Sequence, residues 1–113
     1  MIRMSRPTVP SDPLPPEAVP ALDPIDGIEE LAAAVRSLRS EAEVVCFLRD
    51  LCTRAELEAL SHRWRTARLV AEGVPYVEIA ERVPTSTATV TRVAQWVRHG
   101  TGGYRVALER AGR

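Results

Sequence analysis

The side chains best suited to contact a polar partner cluster in residues 84–96, PTSTATVTRVAQW. Four threonines, one serine and one arginine share this stretch with valines that recur at helical spacing. Threonine is a mediocre helix former, because its branched Cβ restricts χ1. We therefore expect these short hydroxyls to serve contact with a partner rather than helix stability alone.

A second short helical pattern, PYVEIAERV at residues 75–83, precedes the hydroxyl-rich stretch. Two short helices joined by a turn of about three or four residues form a helix-turn-helix. Ile79 and Ala80 would lie on the inner face of the first helix, where the small Ala80 allows a close crossing. Val90 and Val93 would point inward from the second helix. The spacing predicts a helix-turn-helix, although an ordinary helical hairpin in a bundle fits the same pattern.

The outward face of the second helix suits the major groove of DNA. Ser86 is placed to cap the helix, which turns free amides and the positive end of the helix dipole towards a phosphate. Threonine and alanine methyls can meet a thymine methyl, and Arg92 can reach a guanine or a phosphate. The residues predicted to face DNA are Ser86, Thr87, Ala88, Thr89, Thr91 and Arg92.

Pro84 departs from the usual chemistry of such a turn. The residue after Val83 is commonly a glycine, because the backbone there often has positive φ. Proline instead holds φ at about −65°. We therefore expect a different turn geometry between the two helices.

Charge is divided unevenly along the chain. The formal net charge is zero, but residues 1–50 carry five arginines against nine acidic residues, and residues 51–113 carry ten against six. The basic half contains the hydroxyl-rich stretch. All 15 cations are arginine, which favours forked contacts to phosphates or carboxylates, although a GC-rich coding sequence would produce the same bias.

The N-terminal segment is rich in proline: seven of the nine prolines lie in the first 24 residues. Such a segment cannot donate enough backbone hydrogen bonds or bury enough apolar surface to fold alone. We predict a disordered tail at residues 1–25, with a polyproline docking peptide as the alternative, and a folded domain at residues 26–113. The segment shows no apolar run suited to a signal peptide or membrane span, so we expect a cytoplasmic protein with no membrane association.

The remainder of the chain predicts an all-α fold with about six helices and no substantial strand. Apolar residues line one face of the first helix and nearly surround the second, and such helices need cover from several neighbours. An intertwined homodimer would supply that cover, and a compact monomer is the alternative. The apolar face of the first helix comprises Ile28, Leu31, Val35 and Leu38.

The ends of the next two helices are also marked in the sequence. Ser40/Glu43 and Thr53/Glu56 have the spacing of capping boxes, which begin helices, and Gly73 is placed to end the long helix that follows Thr53.

Catalysis and metal binding are not indicated. Beyond carboxylates and hydroxyls, the candidate nucleophiles and bases are Cys46, Cys52, His62 and His99. Neither cysteine lies in a glycine-rich turn, and no HExxH or CxxC spacing occurs. We interpret the cysteines as buried free thiols of a reducing compartment, and we expect no catalytic residue, no metal ligand and no enzyme activity.

Residues 47–110 resemble the Trp repressor superfamily, most closely its YerC/YecD family. The similarity rests on the FLRDLCTRAELEALSHR start, the YVEIA helix, the STATVTRV helix and the GTGGY ending. The resemblance implies an intertwined helical homodimer that binds operator DNA through one helix-turn-helix per subunit. By position, the residues it would place against bases are Thr87, Ala88, Thr89 and Thr91.

The resemblance also implies an effector site, because the Trp repressor binds tryptophan between two arginines whose counterparts are Arg63 and Arg92. The floor of that site differs here: Val93 replaces a glycine and Trp96 replaces a small serine. Their side chains would occupy space that the ligand needs, so we expect no cofactor and no tryptophan dependence, with another small-molecule effector left open. Trp96 would either fill the site itself or belong to the core.

These features predict a sequence-specific DNA-binding transcriptional regulator, a repressor, that binds a palindromic operator in double-stranded DNA as a homodimer. The alternative is a helical dimeric protein-interaction module without DNA binding. DNA binding predicts a basic face formed by Arg92, Arg98 and helix ends, and affinity that falls steeply with salt. An interaction module predicts that the outward face of residues 86–92 is not electropositive.

Overall fold

The computed structural model describes residues 24–111, which contain six α-helices and no β-strand. The prediction of an all-α fold with about six helices is confirmed. Residues 1–23 of the predicted tail and residues 112–113 of the predicted domain lie outside the described residues, so that division stays a prediction. The helices are α1 (Ile28–Ser37), α2 (Glu41–Leu51), α3 (Arg54–Ala71), α4 (Tyr76–Arg82), α5 (Thr87–His99) and α6 (Gly103–Arg110).

Capping side chains begin α2 and α3, with one difference from the prediction. At α3, the Thr53 hydroxyl accepts from the Glu56 amide at 3.1 Å and the Glu56 carboxylate accepts from the Thr53 amide at 2.8 Å, which completes a capping box. At α2, the Ser40 hydroxyl accepts from the Glu43 amide at 3.1 Å. The Glu43 carboxylate reaches one residue further back, to the Arg39 amide at 2.7 Å. The predicted box at α2 is therefore only half formed.

The long helix α3 ends at the predicted glycine. Gly73 has a φ of 84°, and its amide donates to the Val70 carbonyl at 3.0 Å. The Val74 amide donates to the Leu69 carbonyl at 3.1 Å. These two bonds form a Schellman motif, which satisfies the last carbonyls of the helix. The chain then turns directly into α4.

The buried core lies among α3, α4 and α5. No residue of α1, α2 or α6 is buried in the single chain. The helix pair α4–α5 therefore packs on α3, which acts as the scaffold of the domain. The buried residues are Thr66, Ala67, Ile79, Val83, Val90, Val93 and Ala94.

The apolar faces of α1 and α2 are exposed in the single chain. Ile28, Leu31 and Val35 of α1 lie open to solvent, as do Val45 and Leu51 of α2. Exposed apolar surface of this extent is typical of an interaction site. The other described residues do not cover these faces, which favours the homodimer over the compact monomer, and the homodimer stays a prediction.

Candidate nucleic-acid interface

α4 and α5 form the predicted helix-turn-helix. Ile79, Val83 and Val90 are fully buried in one apolar cluster, against which Ala80 packs half-buried. Val93 is buried one turn further along α5. The inward-facing positions predicted for both helices are confirmed. Their packing holds α5 across α4 and directs the opposite side of α5 to solvent.

The turn between α4 and α5 spans residues 83–86 and is shaped by proline. Val83 has a φ of −108° and a ψ of 116°, an extended conformation that the ring of the following Pro84 favours. The turn therefore starts from extended backbone at Val83. That the whole turn differs from one that carries glycine stays a prediction.

Ser86 caps α5. Its backbone is extended, and its hydroxyl accepts a hydrogen bond from the Thr89 amide at 3.1 Å. Each of the helices α1 to α4 has an acidic residue in its first turn, whereas α5 has none. The positive end of the α5 dipole is thus left without a carboxylate of its own helix, and it remains available to an external anion.

The exposed side of the N-terminal half of α5 carries small polar side chains and one cation. The Thr91 hydroxyl donates to the Thr87 carbonyl at 3.0 Å, which leaves its oxygen able to accept from an external donor. Arg92 forms no ion pair with any residue of the described range 24–111. The exposed members of the predicted DNA-facing set are Ser86, Thr87, Ala88, Thr91 and Arg92.

Thr89 differs from its neighbours because it is half-buried. Its hydroxyl lies 3.2 Å from the Ser86 hydroxyl and accepts from Arg92 Nη2 at 3.4 Å. Thr89 thus connects the helix cap to the arginine, and its hydroxyl is turned towards other residues of α5 rather than fully outward.

A cavity of about 490 Å³ opens between α3 and α5, beside the helix-turn-helix. Arg63 of α3 and Arg92 of α5 both line it, so one cavity contains the two arginines that the resemblance to the Trp repressor paired. Val93, Trp96 and Tyr104 contribute apolar surface to its wall. The cavity combines cationic and aromatic groups, a composition suited to a small anionic or aromatic molecule.

Trp96 is 60% exposed, so its interpretation as a core residue is wrong. The indole also does not fill the cavity, because it only borders the open volume. The reason lies at Gly100, where a Cβ atom would be 2.8 Å from the indole Cε3. The ring therefore leans on the backbone at the C-terminal end of α5.

Tyr104 of α6 was not identified from the sequence as part of the site. Its ring stacks on Trp64 of α3, with the centroids 6.5 Å apart and the planes 11° from parallel. Burial raises the pKa of the Tyr104 phenol above its ordinary value, and the nearby charge of Arg63 acts in the opposite direction. Tyr104 thus places its phenol within the electrostatic reach of Arg63, at one end of the cavity.

Three arginines of α3 are exposed to solvent. Arg63, Arg65 and Arg68 are exposed, and none forms an ion pair with a residue in the described part of the chain. Arg68 therefore forms no ion pair with Glu72, which lies four residues further along the chain. The charges of these three arginines are therefore not neutralised by ion pairs within the described residues.

Three further observations concern the cysteines, the metal-ligand side chains and the hydrophobicity of the helices. Cys46 and Cys52 are free, as predicted, but Cys46 is exposed and Cys52 is only half-buried. Among residues 24–111 there is no group of three or more His, Cys, Asp or Glu side chains arranged to hold a metal ion. No helix in the same range has the length and apolar character needed to cross a membrane.

Comparison with known proteins gives three matches of similar extent. The profile of the family described as Trp repressor protein matches residues 26–112. The chain is 35% identical over 83 residues to a Bacillus subtilis protein named Uncharacterized protein YerC, covering 74% of this chain and 80% of that one. It is also similar to the crystal structure of a TrpR-like protein from Eubacterium eligens, with 36% identity, a TM-score of 0.72, and coverage of 78% and 91% of the two chains.

Proposed function

The chain belongs to the Trp repressor family, and from this premise we propose that it is a sequence-specific DNA-binding transcriptional regulator. We propose further that it acts as a repressor, that it binds a palindromic operator as a homodimer, and that each subunit inserts α5 into the major groove as its recognition helix. No catalytic step belongs to this proposal.

One observation supports the proposal most strongly: the N-terminal end of α5 is capped and exposed, and its own first turn contains no carboxylate. Ser86 satisfies one amide at the helix start, while the remaining helix dipole favours a phosphate oxygen. The small side chains of Thr87 and Ala88 allow the backbone to approach base edges closely. A protein-docking face has no need of this combination of a positive helix end and small hydroxyls.

The contacts follow from the exposure of each side chain. Ser86 is assigned to a phosphate, Thr87, Ala88 and Thr91 to base edges, and Arg92 to a guanine or a phosphate. Thr89 is half-buried, and its hydroxyl is turned towards Ser86 and Arg92, so it is assigned a smaller share of the base contacts. A bidentate arginine–guanine contact discriminates between bases by about 1–3 kcal/mol.

Dimerisation is proposed because α1 and α2 expose apolar faces that the single chain leaves open. Burying Leu31 and its neighbours against a second chain would remove this surface from water. Two-fold symmetry would then place two recognition helices about 34 Å apart, which is one turn of the DNA helix. The expected operator is therefore palindromic.

Tryptophan is not proposed as the effector. Val93 and Trp96 stand at positions where the Trp repressor has a glycine and a serine, and both line the cavity between α3 and α5. Both side chains are larger than those they replace, and we propose that the open volume between them and the two arginines is the wrong shape for the indole of the ligand. A different small molecule that binds Arg63 and Arg92 remains compatible with the proposal.

The proposal is tested by selecting genomic DNA fragments with the purified full-length chain at two salt concentrations, with and without added tryptophan. Enrichment of a short palindrome that does not depend on tryptophan is the expected result. Enrichment only with tryptophan would show that Val93 and Trp96 leave room for it. Absence of any salt-sensitive enrichment would favour the protein-interaction module instead.

The salt dependence has an expected size. A dimer that neutralises about six phosphates should lose affinity by ~10³-fold over a fourfold increase in salt concentration. A nonspecific protein contact would show a much weaker dependence. The slope of affinity against salt, measured by fluorescence anisotropy on the selected palindrome, distinguishes these two cases.

A further inference from the structure

We infer that Arg105 is a positioning residue of the recognition helix: through it, α6 fixes the orientation of the C-terminal end of α5. This inference rests on the proposed function, because it concerns how the DNA-binding helix is held. It assigns a role to a residue outside the DNA-facing set and outside the lining of the cavity between α3 and α5.

The contact is made by the guanidinium group of Arg105. Its Nε donates to the Val97 carbonyl at 3.0 Å, and its Nη2 donates to the Arg98 carbonyl. The last four carbonyls of an α-helix lack donors within the helix, and a cation near that end is favoured by the helix dipole. Arg105 therefore caps the C-terminus of α5 from another helix.

The position of Arg105 within its own helix supports this role. Arg105 lies in the first turn of α6, which has no acidic residue. A cation near the N-terminus of a helix opposes the dipole of that helix. At the end of α5 the same charge meets the negative pole of a helix, where it is favourable.

The turn between the two helices brings Arg105 into place. A Cβ atom at Gly100 would collide with the Trp96 carbonyl oxygen, so the chain can pass this close to α5 only with glycine. Gly102 then has a φ of 99°, which begins α6 in a new direction. The reversal returns α6 to the end of the helix that the chain has just left.

The residue before Arg105 anchors α6 to the scaffold helix. Tyr104 stacks on Trp64 of α3, so two consecutive residues of α6 connect α3 to the end of α5. The N-terminal half of α5 is held separately, by Val90 in the core. A tilt of α5 about Val90 would break the bonds to Arg105, and these bonds need no small molecule, because both partners belong to the chain.

The experiment compares Arg105→Gln, Arg105→Lys and the matched control Arg110→Gln, which removes an exposed arginine from the last turn of the same helix. Affinities of the full-length proteins are measured for the selected palindrome and for a scrambled duplex. Amide hydrogen exchange is followed in residues 87–90 and 97–100, at the two ends of α5. Exchange needs no DNA, so it reports on the contact independently of the proposed function.

Arg105→Gln is expected to weaken binding to the palindrome by about tenfold, the size of effect that lost charge-assisted hydrogen bonds produce. Binding to the scrambled duplex should fall no more than in Arg110→Gln. Exchange should accelerate at residues 97–100 and not at residues 87–90. Arg105→Lys should recover most of the affinity, because an ammonium group can still donate to a carbonyl at the end of α5.

Three results would overturn the inference. These are unchanged palindrome affinity in Arg105→Gln, an equal loss in Arg110→Gln, and faster exchange along the whole of α5, which would indicate general loss of stability. Failure of the wild-type chain to bind any palindrome would overturn the proposed function and the orienting role together. Wild-type binding that Arg105→Gln leaves intact would overturn the inference alone.

Discussion

The ring of Tyr104 stacks on the ring of Trp64, with the two planes 11° from parallel. The phenol of Tyr104 also lies within the electrostatic reach of Arg63. An aromatic pair of this kind adds about 0.5–1.5 kcal/mol beyond its buried area. The pair joins α6 to the scaffold helix α3 at the edge of the cavity that Arg63 and Arg92 line. The pKa of the Tyr104 phenol therefore responds to the charge of Arg63 in that cavity.

The first prediction concerns the titration of Tyr104. Burial raises its pKa, and the charge of Arg63 offsets part of that rise. Arg63→Gln should therefore raise the pKa of Tyr104 further, because the replaced cation stabilised the phenolate. The measurement is an ultraviolet absorbance titration of the phenolate in a Tyr76→Phe background, where Tyr104 is the single remaining tyrosine.

The control for this titration is Arg65→Gln, which removes an exposed arginine of the same helix that does not act on Tyr104. An equal shift in both variants would mean that Arg63 is not the specific neighbour. A linked effect on stability is also expected. The unfolded chain loses the phenol proton at about pH 10 and the folded chain at higher pH, so stability should fall as the pH rises from about 10 through the folded pKa.

The second prediction separates the cap of α5 from its charge. Aspartate and serine are both good N-caps, so Ser86→Asp should leave the melting temperature nearly unchanged, whereas Ser86→Ala should cost about 1 kcal/mol of stability. The new carboxylate would lie where a DNA phosphate is proposed to bind. Affinity for the palindrome should therefore fall by at least about tenfold in Ser86→Asp. Thermal melts and fluorescence anisotropy measure the two effects.

Ser40→Asp is the matched control, because Ser40 caps α2 through the same bond to the third helical amide. It should preserve both stability and DNA affinity. If Ser86→Asp bound the palindrome as tightly as the wild type, the N-terminal end of α5 would not face a phosphate. The assignment of α5 as the recognition helix would then have to be abandoned.

The third prediction concerns Arg92. This side chain is exposed, and its 3.4 Å hydrogen bond to Thr89 is long and weak. Arg92→Ala should therefore leave thermal stability nearly unchanged and weaken binding to the palindrome by about 1–3 kcal/mol. Arg110→Ala, at the far end of α6, should have little effect on either. A marked loss of melting temperature in Arg92→Ala would show that the arginine is structural rather than a DNA contact.

Local patterns in the sequence were sufficient to predict the helix-turn-helix. The inward positions Ile79, Val90 and Val93 follow from helical spacing, and the cap at Ser86 follows from a serine three residues before the amide it binds. The extended backbone of Val83 follows from Pro84, whose ring restricts the residue before it. Each of these features depends on residues within one or two turns of each other, so the sequence carries them directly.

Features that depend on distant contacts could not be predicted in this way. Tyr104 meets Trp64 across 40 positions of sequence, and Arg105 binds the end of another helix. Periodicity identifies the buried face of a helix but not which helix will cover it. For the same reason, Trp96 and Cys46 were expected to be buried and are exposed.

The last prediction tests the dimer through α1. Leu31 lies on the exposed apolar face of that helix, whereas Ala33 lies about 200° round the helix on the opposite side. Leu31→Glu would bury a charge in the proposed interface and should convert a dimer of 12.4 kDa chains into monomers at micromolar concentration, as measured by light scattering. Ala33→Glu should leave the dimer intact.

The Leu31→Glu monomer should also lose ~10²–10⁴-fold in affinity for the palindrome, because the two half-sites of the palindrome are no longer bound by linked recognition helices. A Leu31→Glu protein that remained dimeric with full DNA affinity would place the subunit contact elsewhere and leave the apolar face of α1 for a different partner.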